Sequence, residues 1–354
     1  MTRTQILTTA GFLAIGTLGG SLAAVLSVPL PYLLGSMVAV TAAIMLAPRA
    51  IPAGYVFPQR FRLIFLATIG VMIGAQVTPG LLDLLPAMMA SFAALIGFVI
   101  VAHGGNYLLF HRLGGYDRVT AFYAASPGGL LESIAMGEQD GADIALLTTQ
   151  QFLRIVIVIT LMPIGLSLWL GAPVGSAAGM RLANASPSDL SHLHEVLLTA
   201  ALGLGLGRLI RLPAWQLTGP LLAAAAVQLA GIGTLDLPNW VISLCQVVIG
   251  TSLGTRLGGL RGRAVWRAVA LSLVSVGFML ALGAAMAMLL VRQTGLPFDV
   301  LLTSFAPGGV TEMALIALSL QANPALVTAH HIWRILLTVL GLGLVRRYVL
   351  SPRP

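Results

Sequence analysis

The chain carries very little charge for its length. Asp, Glu, Lys and Arg together make up 8% of its 354 residues, against 58% hydrophobic residues. With a mean hydropathy of +0.96, too little polar surface is present to keep a globule of this size in water. A soluble enzyme, a secreted scaffold and a disordered tail are all excluded. The single cysteine, Cys245, excludes an intrachain disulfide and a thiolate metal cluster. Lysine is absent, so all 19 basic residues are arginine. A net charge of +8 and a pI near 10.7 could point to nucleic acid. No basic domain lies outside the apolar stretches to carry such a footprint, so nucleic acid is not an expected partner. Arginine gathered in cytoplasmic loops accounts for the charge better. H-E-x-x-H, a Walker loop and a Gly-x-Ser-x-Gly elbow are missing as well.

What is present is a series of apolar stretches from Thr8 to Val345, the pattern of a polytopic helical membrane protein whose first partner is the lipid bilayer. The pattern is also written twice. Residues 126–155 read SPGGLLESIAMGEQDGADIALLTTQQFLRI and residues 306–335 read APGGVTEMALIALSLQANPALVTAHHIWRI, with 10 of 30 positions identical and no gap at an offset of 180. Pro127, Gly128, Gly129, Glu132 and Arg154 fall on Pro307, Gly308, Gly309, Glu312 and Arg334. The same offset pairs Gly70 and Gly74 with Gly250 and Gly254, and an offset of 184 pairs Pro29 and Gly35 with Pro213 and Gly219. Chance likeness between apolar stretches explains shared Leu and Ala, but not a shared Glu and Arg at fixed spacing. The expected organisation is a first membrane repeat over 1–170, a linker over 171–191 and a second membrane repeat over 192–354.

Each half offers six apolar segments. In the first they span roughly Thr8–Val28, Tyr32–Leu46, Leu63–Val77, Leu84–Leu109, Val119–Met136 and Ala145–Leu170. In the second they span roughly Val196–Leu209, Trp215–Ala230, Trp240–Leu257, Ala264–Leu290, Leu301–Leu320 and Val327–Val345. The first is too long for a signal peptide and is expected to be retained. If all twelve cross the bilayer, the arginines outside the apolar runs divide 11 to 6 between the two sides. If the fifth segment of each half enters and leaves on one side, the division becomes 15 to 2, with only Arg181 and Arg292 outside. The positive-inside bias favours the second scheme. The expected fold is therefore all-α, with two inverted repeats of five transmembrane helices plus one re-entrant, Pro-Gly-Gly-broken hairpin each. Both termini are then cytoplasmic. Proline removes a backbone donor and paired glycines weaken helix, which supports a break at those places. A kinked but fully crossing helix is the alternative.

Glu132 and Glu312 stand apart from the other acidic residues, which fall in loops or at segment ends, and Arg154 and Arg334 are the arginines well inside apolar runs. A charge at the bilayer centre costs at least about 2.5–3.5 kcal/mol on insertion scales, so a matched pair of each needs a reason. One reason is a binding site: half-helices starting after Pro-Gly-Gly would aim free N–H groups at an anion, arginine would grip it, and Glu would carry a coupling proton. The other is structural, with each Glu capping its half-helix and pairing with its Arg as a neutral strut. His330 and His331 stand where the first half has Gln150 and Gln151. Adjacent helical residues point about 100° apart, so the pair is not expected to chelate one metal, although one ring could face the hairpin tip. His192, His194 and Glu195 suggest a solvated loop more than a surface metal site, and His103 and His111 carry no assignment. The Gly-x-Gly runs near Gly203 and Gly341 read as close helix packing.

The double Pro-Gly-Gly-x-x-Glu, Gly141-Ala142-Asp143 and His330-His331-x-x-Arg334 resemble the AbrB duplication family of bacterial inner-membrane proteins, over about residues 14–345. Where that family often repeats Gly-Ala-Asp, this chain has Ala322-Asn323-Pro324, which puts a symmetric role for Asp143 in doubt. The resemblance implies a bacterial inner-membrane location and brings two inherited labels, ammonia monooxygenase and regulator of gene expression. Neither follows from these residues: scattered histidines make no copper or iron site, and no soluble DNA-binding module exists. By analogy of fold alone, the citrate and glutamate symporters are similar. The sequence reading is thus a transporter-like permease for a small anionic or zwitterionic metabolite, coupled to a proton or sodium. It needs no cofactor and no metal, is not an enzyme, and leaves room for a homo-oligomer. A membrane-embedded sensor that transports nothing is the rival.

Overall fold

The computed structural model describes residues 2–52, 54–171, 190–257, 263–320 and 322–350. The linker expected over 171–191, with Arg181, lies almost wholly outside the described residues, as do Arg261 and Arg353. Every regular element among the described residues is helical. Five helical stretches are long and apolar enough to cross a membrane: Arg3–Val25, Pro86–Leu113, Ile144–Leu170, Val265–Thr294 and Pro324–Arg346. Large apolar side chains cover their outer faces, with Leu18, Ile100, Leu168, Leu289 and Leu344 all exposed. That is the surface a hydrocarbon solvent calls for, and it supports a membrane protein.

The chain resolves into two compact units, each drawing on both halves of the sequence. One comprises Met1–Pro79, Pro163–Arg261 and Ala314–Ala325; the other comprises Gly80–Met162, Gly262–Met313 and Leu326–Pro354.

The first unit is built from α1 (Arg3–Val25), α2 (Pro31–Leu46), α3 (Gln59–Gly74), α8 (Leu193–Leu209), α9 (Trp215–Ala230) and α10 (Asn239–Leu257). Glycine sets how closely these helices approach. A Cβ on Gly19 would overlap the Gly35 carbonyl, and a Cβ on Gly203 would overlap Pro220 and the Gly219 carbonyl. Gly70 and Gly74 lie against the Leu217 and Leu221 carbonyls of α9, while Gly250 and Gly254 lie against those of Leu33 and Met37 on α2. The partners recur at the sequence offsets: 19 and 35 become 203 and 219 at 184, and 33 and 37 become 217 and 221. Even the strained backbone recurs. Among the described residues, the non-glycine positions with positive φ are Ser27, Leu30, Arg211 and Ala214, at 54°, 46°, 54° and 48°. These are two pairs 184 apart, in the turns into α2 and α9. A left-handed Leu or Arg costs about 1–3 kcal/mol, so the same turn is maintained twice against its own strain.

Van der Waals packing through small residues holds membrane helices together where water-driven burial is absent. Gly203→Val is therefore expected to destabilise the detergent-purified protein by about 1–3 kcal/mol through overpacking. Gly205→Val, on the same helix but facing open space, is expected to melt like the parent. Thermal unfolding of the two variants side by side checks the difference.

The second unit contains α4 (Leu85–Leu108), closed by a π-turn over Leu109–Leu113, then α5 (Arg118–Ala124), α6 (Leu130–Gln139), most of α7 (Ile144–Leu170), α11 (Arg263–Thr294), α12 (Phe298–Phe305) and most of α14 (Pro324–Leu350). α13 (Val310–Ser319) contributes its first turn to this unit. α4 and α11 meet through the Ser275 hydroxyl, which donates to Asn106 Oδ1 at 2.8 Å, and Phe98 stacks edge-on against Phe305 at 5.6 Å. All the candidate site residues lie in this unit.

Candidate functional site

Both fifth segments are broken where Pro-Gly-Gly stands. α5 begins on Asp117, whose Oδ1 accepts the N–H groups of Val119 and Thr120 at 2.9 Å. It ends at Ala124, and α6 restarts at Leu130 behind Gly129, whose φ of +62° is left-handed and suits glycine. α12 ends at Phe305 and α13 restarts at Val310. In the first half the chain folds back on itself. The Asp143 N–H donates to Thr120 Oγ1 at 2.8 Å, the Tyr123 hydroxyl donates to Asp140, and the Ser126 and Ser133 hydroxyls meet at 2.7 Å. As one partner advances 120, 123, 126, the other retreats 143, 140, 133, so α5 and α6 run antiparallel.

The two buried arginines tie off the ends of the first half-helices. Arg154 Nη1 donates to the Ser126 carbonyl and Arg334 Nη1 to that of Ala306, positions 180 apart. Arg334 Nη2 also donates to the Gly308 carbonyl at 2.8 Å. A cation there complements the carbonyl end of the helix dipole. The neighbouring side chains repeat the arrangement: Gln151 Nε2 donates to the Tyr123 carbonyl and His331 Nε2 to that of Thr303, both at 3.0 Å. The tautomer of His331 follows from its partners. Arginine can only donate, so His331 Nδ1 accepts from Arg334 Nη2 at 2.8 Å and the ring proton sits on Nε2. One position earlier, the pairing crosses between halves. His330 Nε2 accepts from the Ser91 hydroxyl of α4 at 2.7 Å, while Gln150 Oε1 accepts from the Ser272 hydroxyl of α11. His330 Nδ1 donates to the Leu326 carbonyl at 2.8 Å.

The expected site residues thus divide into two groups. Arg154, Arg334, Gly128, Gly308, Gln151 and His331 converge: a Cβ on Gly128 would stand 3.6 Å from Arg334 Nε and 3.2 Å from Thr338 Oγ1. The glutamates do not join them as partners. Glu132 and Glu312 sit in the first turns of α6 and α13, each with its carboxylate turned back toward its own glycine, Gly129 or Gly309. Neither forms an ion pair with either arginine among the described residues. The neutral Glu–Arg strut is corrected: the strut is real, but it is arginine to backbone carbonyl. His330 and His331 have both ring nitrogens engaged, with different partners: His331 holds the end of α12, and His330 ties α14 to α4.

Two donors remain unused. Arg154 and Arg334 are 6% and 1% exposed, and the Nε of each is buried without a partner, as is Gln151 Oε1. Sequence reasoning missed Ser91, Ser126, Ser133 and Ser272, and a signal was there: Ser126 directly precedes Pro-Gly-Gly, and Ser91 and Ser272 are hydroxyls on apolar helices 181 apart. Among the described residues, no group of three His, Cys, Asp or Glu comes together for a metal. His192 lies 3.7 Å from Glu195 and 3.8 Å from Asp236, while Glu195 accepts the Thr234 N–H at 2.8 Å. The glycine run near Gly203 packs tightly, but the run at Gly341 does not: a Cβ on Gly341 or Gly343 would meet nothing within 4 Å.

A family profile described as "Transition state regulatory protein AbrB" matches residues 32–350. A protein of Escherichia coli (strain K12), provisionally named regulator AbrB, is 27% identical over 322 residues, covering 88% of this chain and 91% of the relative. The uncharacterized protein YhjN of Bacillus subtilis (strain 168) is 24% identical over 345 residues, covering 93% of this chain and 89% of its own length. The Pro-Gly-Gly breaks, both buried arginines and the glycine contacts of Gly70, Gly74, Gly203, Gly250 and Gly254 lie inside the matched span, and the chain belongs to the AbrB family.

Proposed function

We propose that this protein is a secondary-transporter-like permease for a small anionic or zwitterionic metabolite. It is built from two inverted repeats, each with five crossings and one re-entrant hairpin, in a bacterial inner membrane with both termini cytoplasmic. The observation that carries the reading is the pair of buried arginines. Each uses one end on a carbonyl and keeps a buried Nε without a partner, and no carboxylate among the described residues neutralises either. Two uncompensated like charges at that depth are unstable by several kcal/mol. An anion bound between the breaks would relieve both at once, through charge-assisted hydrogen bonds. The recurrence of glycine contacts, left-handed turns and arginine–carbonyl bonds at fixed offsets supports the inverted repeat. The fold-back of α5 on α6 supports the hairpin, because non-helical backbone at membrane depth is tolerated where protein or a cavity covers it.

In this reading the arginines and the Pro127-Gly128-Gly129 and Pro307-Gly308-Gly309 turns hold the substrate. Glu132 and Glu312, beside those turns but unpaired with the arginines, carry the coupling proton or face a coupling sodium. The molecule is a carrier and not a catalyst. A thermal-shift screen of small carboxylates and amines, with and without sodium and across pH, is expected to find a stabilising anion. That compound is then expected to accumulate in proteoliposomes under an ion gradient. Glu132→Gln with Glu312→Gln should abolish accumulation while the anion still stabilises the protein. Uptake unchanged in that double variant would remove the coupling role.

The names of the family profile and of the Escherichia coli relative favour a second reading, a membrane-embedded regulator that senses the same anion. Saturable anion binding with no flux under any gradient would decide for it.

A further inference from the structure

The second unit holds a cavity of about 220 Å³ walled by α4, α5 and α14, whose lining includes neither Arg154 nor Arg334. Val99, Phe122 and Leu342 form its buried wall, and Ile100 and Val345 stand at its rim, 66% and 43% exposed. One imidazole, that of His103, faces this apolar lining. Its ring meets Phe122 edge-on at 4.9 Å, and its Nε2 is buried without a hydrogen-bond partner. The other polar side chain in the wall, Thr338, already donates its hydroxyl to the Arg334 carbonyl at 2.8 Å.

We propose that this cavity is a binding site for a small apolar molecule carrying a single hydroxyl group, which reaches it from the hydrocarbon of the bilayer. Four observations converge on that class. The volume exceeds the roughly 150 Å³ of an apolar cavity that admits benzene, so a ring or a short alkyl chain fits. Water does not suit it, because a buried water needs two to four polar partners and this wall offers one unmet atom. A charged ligand does not suit it either, since the rim residues belong to helices apolar enough to span a membrane. A hydroxyl, by contrast, can serve a neutral imidazole nitrogen as donor or acceptor while its carbon skeleton fills the rest.

The space itself distinguishes the two halves. α7 and α14 are both 27 residues long and start 180 apart. Where α7 carries Leu161, α14 carries Gly341, and a Cβ there would meet nothing within 4 Å. At this position the second copy lacks the side chain that the first copy carries, and the lone histidine points to what the opening is for. This site does not depend on the anion reading.

The test is photolabelling of the full chain in lipid nanodiscs with a diazirine octanol and, separately, a diazirine octane, with adducts mapped by mass spectrometry. The octanol is expected to give saturable adducts within 99–104 and 338–345 that unlabelled octanol displaces. His103→Phe should lower octanol adducts at least fivefold and leave octane adducts unchanged. Gly341→Leu, which restores the residue of the first half, should remove both. Equal labelling by octanol and octane in the parent chain would mean an ordinary lipid tail fills the cavity, and would overturn the proposal. So would octanol adducts that persist in Gly341→Leu. Displacement is read on the parent chain, so the proposal stays testable if His103→Phe fails to fold.

Discussion

Arg334→Leu is expected to leave little folded protein to purify, whereas Arg154→Leu is expected to yield a folded but weakened one. The difference lies in what each guanidinium holds. Arg334 is almost fully buried and serves three partners, the carbonyls of Ala306 and Gly308 and the ring of His331. Leucine would orphan the buried Gly308 carbonyl at about 1–3 kcal/mol and leave the Ala306 carbonyl only the Gly308 N–H, at 2.9 Å. It would also leave much of the arginine's volume empty, in a site where cavities cost further. His331 would lose the donor that fixes its tautomer, and with it the bond to Thr303. Removing a buried charge returns some desolvation energy, but the summed loss still rivals the 5–15 kcal/mol that keeps a typical domain folded. Arg154 is different because Gln151 backs it up. Gln151 Nε2 reaches the carbonyls of Tyr123, Ala124 and Ser126 at 3.0, 3.2 and 3.4 Å, so the Ser126 carbonyl keeps a donor when Arg154 goes. The expected loss there is about 1–3 kcal/mol. Gel filtration and thermal unfolding of the two variants give the comparison. An Arg334→Leu protein that elutes and melts like the parent would show that the arginine–carbonyl strut does not hold the second break.

The breaks themselves were legible in the sequence, since proline and paired glycine leave few alternatives inside an apolar run. The repeat was read from a Glu and an Arg at fixed spacing, which are costly in lipid and do not recur by drift, and glycine contacts recur at the same kind of offset. Several helix ends were read short, although α1 and α3 end at Val25 and Gly74, before the expected Val28 and Val77. α3 begins at Gln59 and not Leu63, α11 runs to Thr294 and not Leu290, and α14 starts at Pro324 and reaches Leu350. The apolar criterion marks the hydrocarbon slab, while helices continue through their arginine-bearing ends beyond it. The partner of the arginines was misread for another reason. An intramembrane Arg and Glu at matched places in both halves suggest an ion pair, but the local geometry sends each Glu back over its own cap glycine and leaves the carbonyl end of α5 or α12 as the better acceptor. Nothing in the side chains of Leu30 or Arg211 signals a left-handed residue, which glycine or asparagine would ordinarily supply. The bonds from Ser91 to His330 and from Ser272 to Gln150 join residues of opposite halves, and no local pattern encodes such a pairing. The opening at Gly341 came from the same limit: a Gly-x-Gly run on an apolar helix shows where backbones can approach, not whether a neighbour does.

The orientation of the halves yields the second large effect, because it places a residue on one side of the membrane or the other. Three single-cysteine proteins in a Cys245→Ala background would be used: Gln59→Cys before the third segment, Trp266→Cys near the start of α11 and Gln293→Cys near its end. Each native side chain is exposed and Cys245 is fully buried, so the reporters are accessible and the background change is internal. If the Pro-Gly-Gly segments turn back, positions 59 and 266 are expected to react from one compartment and 293 from the other. If those segments cross instead, 59 and 293 share a side and 266 lies opposite. The physical reason to expect the first pattern is the arginine count, 15 to 2 against 11 to 6, since each arginine misplaced across the bilayer opposes insertion in that sense. The labelling also bears on chemistry. Antiparallel α5 and α6 place Gly128 at the tip of a loop beside Arg334, which belongs to the other half of the sequence. With the halves inverted, each tip enters from its own face, and Arg334 stands beside both Gly128 and Gly308, so one anion would reach a donor at the meeting of the two tips. With the halves parallel, both tips would enter from the same face, and a single site reached alternately from two sides would have no structural basis.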